Sequence, residues 1–238
     1  TEDLYKGKII GEDYSPLDEC RLRYLGGATN HWGGWTHPLS TMDFKKRDFI
    51  DYSGWPIGTS DLSGYYDEAK RILDIPPFPY ESKWWYENSH WHSPLARGEM
   101  KDIVYQLSEP TRFSEKFSKD YEKTEAIWFL LNANLTDFEF GSDGSLVQSA
   151  LVKSLKGRQI RIKARYFVLA TGGMENARLL LALNRVHEKG IGNKFDNVGR
   201  FFSDHKALPM GTLVSSNPKE KFDFYGLREP FVSGVKSP

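Results

Sequence analysis

Residues 166–181 of the chain read YFVLATGGMENARLLL, and this stretch predicts the fold class. Tyr166 to Ala170 are continuously apolar, which is typical of a strand buried on both faces. A Thr171-Gly172-Gly173 turn follows, and the apolar positions after it recur at helical spacing. A strand, a glycine turn and a helix in this order predict an α/β protein with a ligand corner, because unpaired N–H groups at the helix start attract phosphate or another acceptor. Close packing of the helix on the strand is the alternative role for these glycines.

Short apolar runs separated by turn residues precede this corner. The turns are Gly141-Ser142-Asp143-Gly144 and Lys156-Gly157, and the runs predicted as strands are 127–131, 135–140, 146–152 and 160–169. In the last run, Ile160 and Ile162 alternate with basic residues, as in a sheet with one face in water. We therefore expect an antiparallel β-meander from Ala126 to Arg165, with its basic residues solvated.

A second glycine-rich stretch, residues 21–34, reads RLRYLGGATNHWGG. Its glycine pairs flank Thr29, Asn30 and His31, whose side chains can donate hydrogen bonds. Glycine permits left-handed backbone angles and a close approach of peptide N–H groups to a ligand. This combination favours an anionic, planar cofactor, and the alternative is a surface turn with a packed Trp32.

The segment between these stretches begins with a predicted helix. Thr59 or Ser60 is its expected N-cap, apolar positions as far as Leu73 recur at three- and four-residue spacing, and a proline pair ends it. The aromatic-rich region 78–125 has weak periodicity, so we expect irregular structure there with one short helix near residues 100–107.

Composition restricts the classes of partner. Lys plus Arg and Asp plus Glu number 32 each, so no net charge favours nucleic acid or an anionic membrane surface. No apolar run approaches the roughly 20 residues of a membrane helix. The single cysteine, Cys20, cannot form an internal disulfide, which fits a reducing compartment. We expect a cytoplasmic protein that neither spans a membrane nor binds nucleic acid.

Four segments in order resemble the glucose-methanol-choline (GMC) family of FAD-dependent oxidoreductases. They are residues 21–34, Trp55-Pro56-Ile57 with the helix after it, residues 168–181, and residues 197–205, which read NVGRFFSDH. The resemblance runs over nearly the whole chain and is closest to the branch with sugar oxidases and sugar or polyol dehydrogenases. It implies part of an FAD/NAD(P)-binding, Rossmann-like α/β domain with an antiparallel β-meander, followed by the start of a substrate domain.

The resemblance also implies a discontinuous domain organisation. Residues 1–77 and 126–205 would belong to the FAD-binding domain. Residues 78–125 would form a lid or an insertion from the substrate domain, and residues 206–238 would begin the substrate domain.

FAD is the cofactor that the resemblance implies, and its contacts can be assigned residue by residue. Gly26 and Gly27 match the backbone beside the pyrophosphate and ribityl chain, and Ala170-Thr171-Gly172 matches the turn over the nucleotide half, a motif that Asn176 and Arg178 continue. The complete set of expected contacts is Gly26, Gly27, Thr29, Asn30, His31, Trp32, Gly33, Leu135, Ala170, Thr171, Gly172, Asp204 and His205.

His31 has three possible roles in this interpretation. A Ser-Thr-His-Trp run carries covalent FAD on its histidine in pyranose oxidase-like members, and the corresponding residues here are Thr29-Asn30-His31-Trp32. The histidine and tryptophan match, whereas the residue before them does not. Covalent attachment, non-covalent flavin contact and plain packing therefore all stay open.

Two family elements are missing from the sequence. It lacks the strand with a Gly-x-Gly-x-x-Gly turn that binds the ADP half, and it lacks the C-terminal His with its His or Asn partner that takes the substrate proton. No catalytic residue can be assigned as a result. We expect the chain to be a portion of a longer protein that is inactive in alcohol oxidation when isolated.

The expected parent reaction is oxidation of a CH–OH group on a sugar, polyol or other alcohol, with hydride transfer to flavin N5. The electron acceptor stays open between oxygen, a quinone and a carrier. A carbohydrate-binding or interaction module is the alternative, since 7 Trp and 12 Tyr could supply stacking faces. A metal site is not expected, because no cysteine or carboxylate cluster accompanies the histidines.

Overall fold

A computed structural model describes residues 4–11, 13–89, 100–109, 111–204, 208–209, 211–212, 214–217 and 219. The chain divides into two compact units, residues 1–124 with 214–238 and residues 125–213. Helices and antiparallel strands are mixed along it, which confirms the predicted α/β class at the level of a mixed fold.

The first unit is mainly helical. Its elements are β1 (Trp35–Thr36), α1 (Thr41–Phe44), α2 (Thr59–Ile72), α3 (Ser82–Asn88), β2 (Gln106–Leu107), α4 (Phe113–Lys116) and α5 (Ser118–Glu122), and a 3-10 helix covers Gly27–Asn30. Strands β1 and β2 pair antiparallel, with Trp35 opposite Leu107. Phe44, Ile75 and Trp85 are its buried apolar side chains among the described residues.

Helix α2 confirms the predicted helix with a small shift at its start. The N-cap is Gly58, one residue before the predicted Thr59, and its N–H donates to Asp61 Oδ2 at 2.7 Å. At the other end Asp74 adopts a left-handed φ of 54°, and Ile75 N–H bonds Lys70 O at 2.9 Å. This closing turn is a common helix C-terminus, and it precedes the prolines as expected.

The predicted short helix near residues 100–107 is wrong. Residues 106–107 form strand β2, because their backbone finds a partner in β1. Gln106 Nε2 also donates to Phe78 O at 2.6 Å, and Gln106 O accepts from Thr36 Oγ1 at 2.9 Å. Helix α3, in contrast, lies in a region predicted as irregular.

The second unit contains the predicted β-meander. Its strands are β3 (Asn134–Phe140), β4 (Val147–Lys153) and β5 (Gln159–Ile162), paired antiparallel in sequence order. A register shift between Leu135 and Asp137 leaves Thr136 as an irregularity in β3. Helix α6 (Gly173–Ala182) follows the sheet, as predicted from the spacing of its apolar residues.

Two predicted strands of this unit are not present. Residues 127–131 have no strand structure, and Trp128 is exposed. Residues 166–170 are also outside any strand, and Val168 is 87% exposed rather than buried on two faces. Phe167 packs edge-on against Phe138, but within the described residues no strand pairs with this segment. A strand forms only beside a partner, which an apolar run alone does not supply.

Within the described residues, none of the helices combines the length and the apolar character that crossing a membrane requires.

Candidate functional site

The glycine loop, defined as residues 25–34, contains tight backbone turns. Gly26 and Gly27 have left-handed φ values of 89° and 50°, and the 3-10 helix begins directly after Gly26. A Cβ on Gly26 would lie 2.8 Å from Asn30 Nδ2 and 3.0 Å from Ser114 Oγ. Nothing lies within 4 Å of the corresponding position on Gly27. Glycine is therefore required at position 26, because the backbone angle is left-handed and a side chain would not fit. At Gly27 the space beside the backbone is open to a ligand.

Thr29 and Asn30 use their side chains inside this loop. Thr29 Oγ1 donates to Gly26 O at 2.6 Å, and Asn30 Nδ2 donates to Leu25 O and Gly27 O at 2.9 and 3.0 Å. These bonds shape the turn rather than leave the donors free for a ligand. His31 is exposed beside them, and Gly33 is exposed as well. The cofactor contacts of these residues stay predictions.

A segment far away in sequence holds the loop from one side. We call residues 111–114 the clamp. Arg112 Nη1 donates to Thr29 O at 2.6 Å, Phe113 N–H donates to Thr29 Oγ1 at 3.3 Å, and Ser114 Oγ donates to Asn30 Oδ1 at 3.3 Å. Trp32 Nε1 donates to Thr111 O at 3.1 Å. The clamp could not be predicted from the sequence, because no local pattern relates residues 83 positions apart.

The C-terminal end of the loop packs directly on the chain before the clamp. Ser108 N–H donates to Gly34 O at 2.8 Å, and a Cβ on Gly34 would lie only 2.4 Å from Ser108 O. Gly34 is buried with a φ of 76°. A side chain at this position would separate the loop from its support.

The clamp in turn is anchored to the C-terminus of α2. Ser108 Oγ and Thr111 Oγ1 both donate to Leu73 O, at 2.6 and 3.1 Å. Lys116 Nζ lies 2.7 Å from Asp74 Oδ1, and this hydrogen bond is the main reason that the pKa of Asp74 is lowered. An open cleft of about 430 Å³ lies here, and its lining includes Asp74, Thr111, Arg112 and Lys116.

The second unit contains the other predicted site, the turn before α6. Asn176 Oδ1 accepts from Thr171 N–H at 2.9 Å and from Thr171 Oγ1 at 2.6 Å, and Asn176 Nδ2 donates to Leu169 O at 3.0 Å. Gly172 is the N-cap with φ 92° and ψ 153°, a conformation that side chains disfavour. The side chain of Asn176 therefore fixes the turn that is predicted to contact the nucleotide half of FAD.

Gly172 and Gly173, at the start of α6, are exposed to solvent. Among the described residues no side chain caps the helix, and no atom lies within 4 Å of a Cβ built on either glycine. The alternative role of these glycines, close packing of the helix on a strand, does not apply in this structure. Glu175 is the acidic residue of this turn, and Arg178 Nη2 pairs with it at 2.6 Å, which raises the pKa of Arg178. Exposed helix N–H groups in open space can bind an anion or another acceptor.

The remaining predicted contacts also lie in the second unit, where the structure describes them. Leu135 is a half-buried residue of β3 opposite Val152, and Asp204 is exposed. His205, another predicted contact, lies outside the described residues.

The predicted contacts thus fall into two groups, each within one unit. Gly26, Gly27, Thr29, Asn30, His31, Trp32 and Gly33 form one contiguous loop in the first unit, and the others belong to the second. In the described part of the chain, no group of three or more His, Cys, Asp or Glu side chains could hold a metal ion.

The chain is similar to one characterised enzyme over most of its length. It is 22% identical over 258 aligned residues to the 2-methyl-1,2-propanediol dehydrogenase of Mycolicibacterium austroafricanum, covering 90% of this chain and 47% of that protein. The chain therefore spans about half the length of this curated relative. No protein-family model matches the sequence.

Proposed function

We propose that the chain is part of an FAD-dependent oxidoreductase that oxidises the CH–OH group of a small alcohol, polyol or sugar. The observation that carries this proposal is the open, uncapped start of α6 behind the left-handed Gly172. The similarity to a diol dehydrogenase supports an alcohol as the substrate class. Sugar or polyol specificity rests on the resemblance of the sequence motifs.

The described residues fit FAD in two respects. The open helix start provides N–H donors for acceptor atoms of the nucleotide half, beside Ala170, Thr171 and Gly172. In the glycine loop, the open space at Gly27 lets the pyrophosphate or ribityl chain approach the backbone. Trp32, Gly33, Leu135, Asp204 and His205 stay predicted contacts.

Bound FAD would supply the hydride acceptor, and the residues of this chain would bind and orient it. Gly26 and Gly27 would face its pyrophosphate and ribityl chain. Thr29, Asn30 and His31 would lie beside the flavin ring, where the exposed His31 imidazole can form a hydrogen bond. No described residue is assigned as the base that takes the substrate proton.

Titration of the chain with FAD, followed by flavin fluorescence anisotropy, tests the proposal. We expect saturable binding with competition by ADP, because the nucleotide half contributes its own contacts. Acid precipitation of the loaded protein then decides the role of His31, since only covalent flavin stays in the pellet. Anisotropy that stays at the value of free FAD at every protein concentration would contradict FAD binding by this chain.

A carbohydrate-binding module is the second candidate, and one exposed pair of rings favours it. Trp35 and Tyr105 are 55% and 50% exposed, and their ring centroids lie 5.7 Å apart in an edge-on arrangement. Trp85, in contrast, is only 4% exposed and packs against Phe78, so it offers no stacking face. Sugar binding that is lost in Trp35→Ala, together with no FAD binding, would favour this candidate.

A further inference from the structure

We propose that Arg112 is a positioning residue that holds the glycine loop in the conformation that binds the flavin. The inference rests on the proposed function for the identity of the ligand. The effect of Arg112 on the loop itself can be measured without any ligand.

The glycine loop holds its own shape only in part, through the bonds from Thr29 Oγ1 and Asn30 Nδ2 to its backbone. Its 3-10 helix spans only four residues, and such short helices have poor intrinsic hydrogen-bond geometry. Gly26 and Gly27 also have more accessible backbone conformations than other residues. Contacts from outside the loop therefore add to these internal bonds in selecting one conformation.

Arg112 makes the strongest of the contacts that reach the loop. Its bond to Thr29 O is 2.6 Å long and involves a charged donor, whereas those from Phe113 N–H and Ser114 Oγ are 3.3 Å long. Charged donors form hydrogen bonds roughly twice as strong as neutral ones. Removing Arg112 is therefore expected to release the loop more than removing either neighbour.

The bond from Arg112 also fixes a direction inside the loop. Thr29 C=O and Asn30 N–H belong to one planar trans peptide, so they point in opposite directions. When the guanidinium holds the carbonyl on the clamp side, the Asn30 N–H is directed away from the clamp. Arg112 thus fixes the orientation of the Thr29–Asn30 peptide in the 3-10 helix.

The clamp is rigid enough to act in this way because it is attached to α2. Lys116, two residues beyond the clamp in α4, donates from its Nζ to Ile72 O at 2.6 Å and to Arg71 O at 3.3 Å. Thr111 Oγ1 bonds both Leu73 O and Asp74 Oδ2. A displacement of the loop therefore strains contacts with a fourteen-residue helix.

The open cleft of about 430 Å³ makes the role of Arg112 testable by chemical rescue. Arg112 lines this cleft, so truncation of its side chain leaves a space that is connected to solvent. A free guanidinium ion has the same planar donor set and can enter that space. It should then restore the bond to Thr29 O.

Hydrogen exchange measured by mass spectrometry on the full chain without FAD is the first part of the test. In Arg112→Ala we expect exchange in the peptide covering Gly27–Trp32 to rise about tenfold, the effect of one lost charged hydrogen bond. Guanidinium chloride at millimolar concentration should reverse the increase, and sodium chloride at the same ionic strength should not. Arg112→Lys should give an intermediate rate. Arg158→Ala, an exposed residue between β4 and β5, is the matched control and should leave the loop unchanged.

FAD titration of the same variants is the second part. Arg112→Ala should weaken FAD binding about as much as it accelerates loop exchange, with the same rescue by guanidinium. Unchanged loop exchange in Arg112→Ala, or faster exchange with unchanged FAD affinity, would overturn the proposal. Should the peptides of α3, in the same unit, also lose protection, that unit has unfolded in Arg112→Ala, and the exchange rate and FAD affinity of Arg112→Lys then decide. A wild-type chain that binds no FAD overturns the proposed function and with it the flavin role of Arg112, whereas the exchange data still report whether the clamp holds the loop.

Discussion

Asn176 Oδ1 accepts two hydrogen bonds from Thr171, one from its backbone N–H at 2.9 Å and one from its hydroxyl at 2.6 Å. Asn176 lies in the first two turns of α6, and Thr171 lies in the turn before it. A single carboxamide therefore sets the geometry of the turn to which we assign the nucleotide half of FAD.

Asn176→Ala should release this turn. We expect a loss of about 2 kcal/mol in the free energy of unfolding, because three hydrogen bonds are removed and a half-buried carbonyl loses its donor. FAD affinity should fall about tenfold, since the acceptor groups lose a fixed set of donors. Urea unfolding and FAD titration measure the two effects. Asn184→Ala, just beyond α6, is the control, and equal losses in both variants would contradict the role of Asn176.

Gly172→Ala and Gly173→Ala should have opposite effects on stability. Gly172 has a φ of 92° with ψ of 153°. Alanine is strained in this conformation, so Gly172→Ala should lower the free energy of unfolding by about 2 kcal/mol. Gly173 begins α6 in open space, so alanine should be neutral or stabilising by a few tenths of a kcal/mol. If FAD binds at this helix start, the added methyl group of Gly173→Ala should weaken FAD binding, although the variant should be at least as stable as wild type. Thermal unfolding with FAD titration separates these effects, and full FAD affinity in Gly173→Ala would argue against an approach at this helix start.

Gly34→Ala should be far more disruptive than Gly27→Ala. A Cβ on Gly34 would lie 2.4 Å from Ser108 O, in addition to a left-handed φ of 76°. We expect a loss of about 3 kcal/mol there, against about 1 kcal/mol at Gly27, which has a φ of 50° and open space. Urea unfolding followed by tryptophan fluorescence measures both. Similar losses would mean that the contact with Ser108 does not support the loop.

Acidification should weaken the first unit partly through Asp74. Lys116 lowers the pKa of this carboxyl in the folded chain, so its contribution is complete above the unfolded value of about 3.9 and is lost as the pH falls through the folded pKa. Asp74→Asn removes the titration, and asparagine tolerates the left-handed φ of 54° at this position. Between pH 5 and about 2, wild type should therefore lose more stability than Asp74→Asn. Urea unfolding at several pH values measures the stability of both proteins. If wild type and Asp74→Asn lose the same stability as the pH falls, the carboxyl of Asp74 does not contribute to the pH dependence.

The parts of the fold that depend on local pattern could be predicted from the sequence. Helix α2, the meander β3–β5 and helix α6 were all predicted, because apolar spacing and turn residues determine them within one segment. Residues 166–170 were wrongly predicted as a buried strand, since strand formation needs a neighbour that the run itself does not encode. The same reason explains β2, where pairing with β1 overrides the predicted helix.

In the candidate site too, features set by local pattern could be predicted, and contacts between distant segments could not. The unusual backbone angles at Gly26 and Gly172 follow from glycine in a tight turn. Arg112, in contrast, acts on Thr29 through a contact between distant segments, and nothing in the sequence around either residue indicates it. The bonds from the side chains of Thr29 and Asn30 to the loop itself could not be predicted either, and the cofactor contacts of these two residues stay predictions.

Hydrogen exchange of the wild-type chain with and without FAD tests the central claim most directly. If FAD binds as proposed, its addition slows exchange in the peptides covering Gly27–Trp32 and Thr171–Asn176, while the peptides of α3 and β5 exchange at unchanged rates. Unchanged exchange in both site peptides at saturating FAD would contradict the account, and so would protection confined to other parts of the chain.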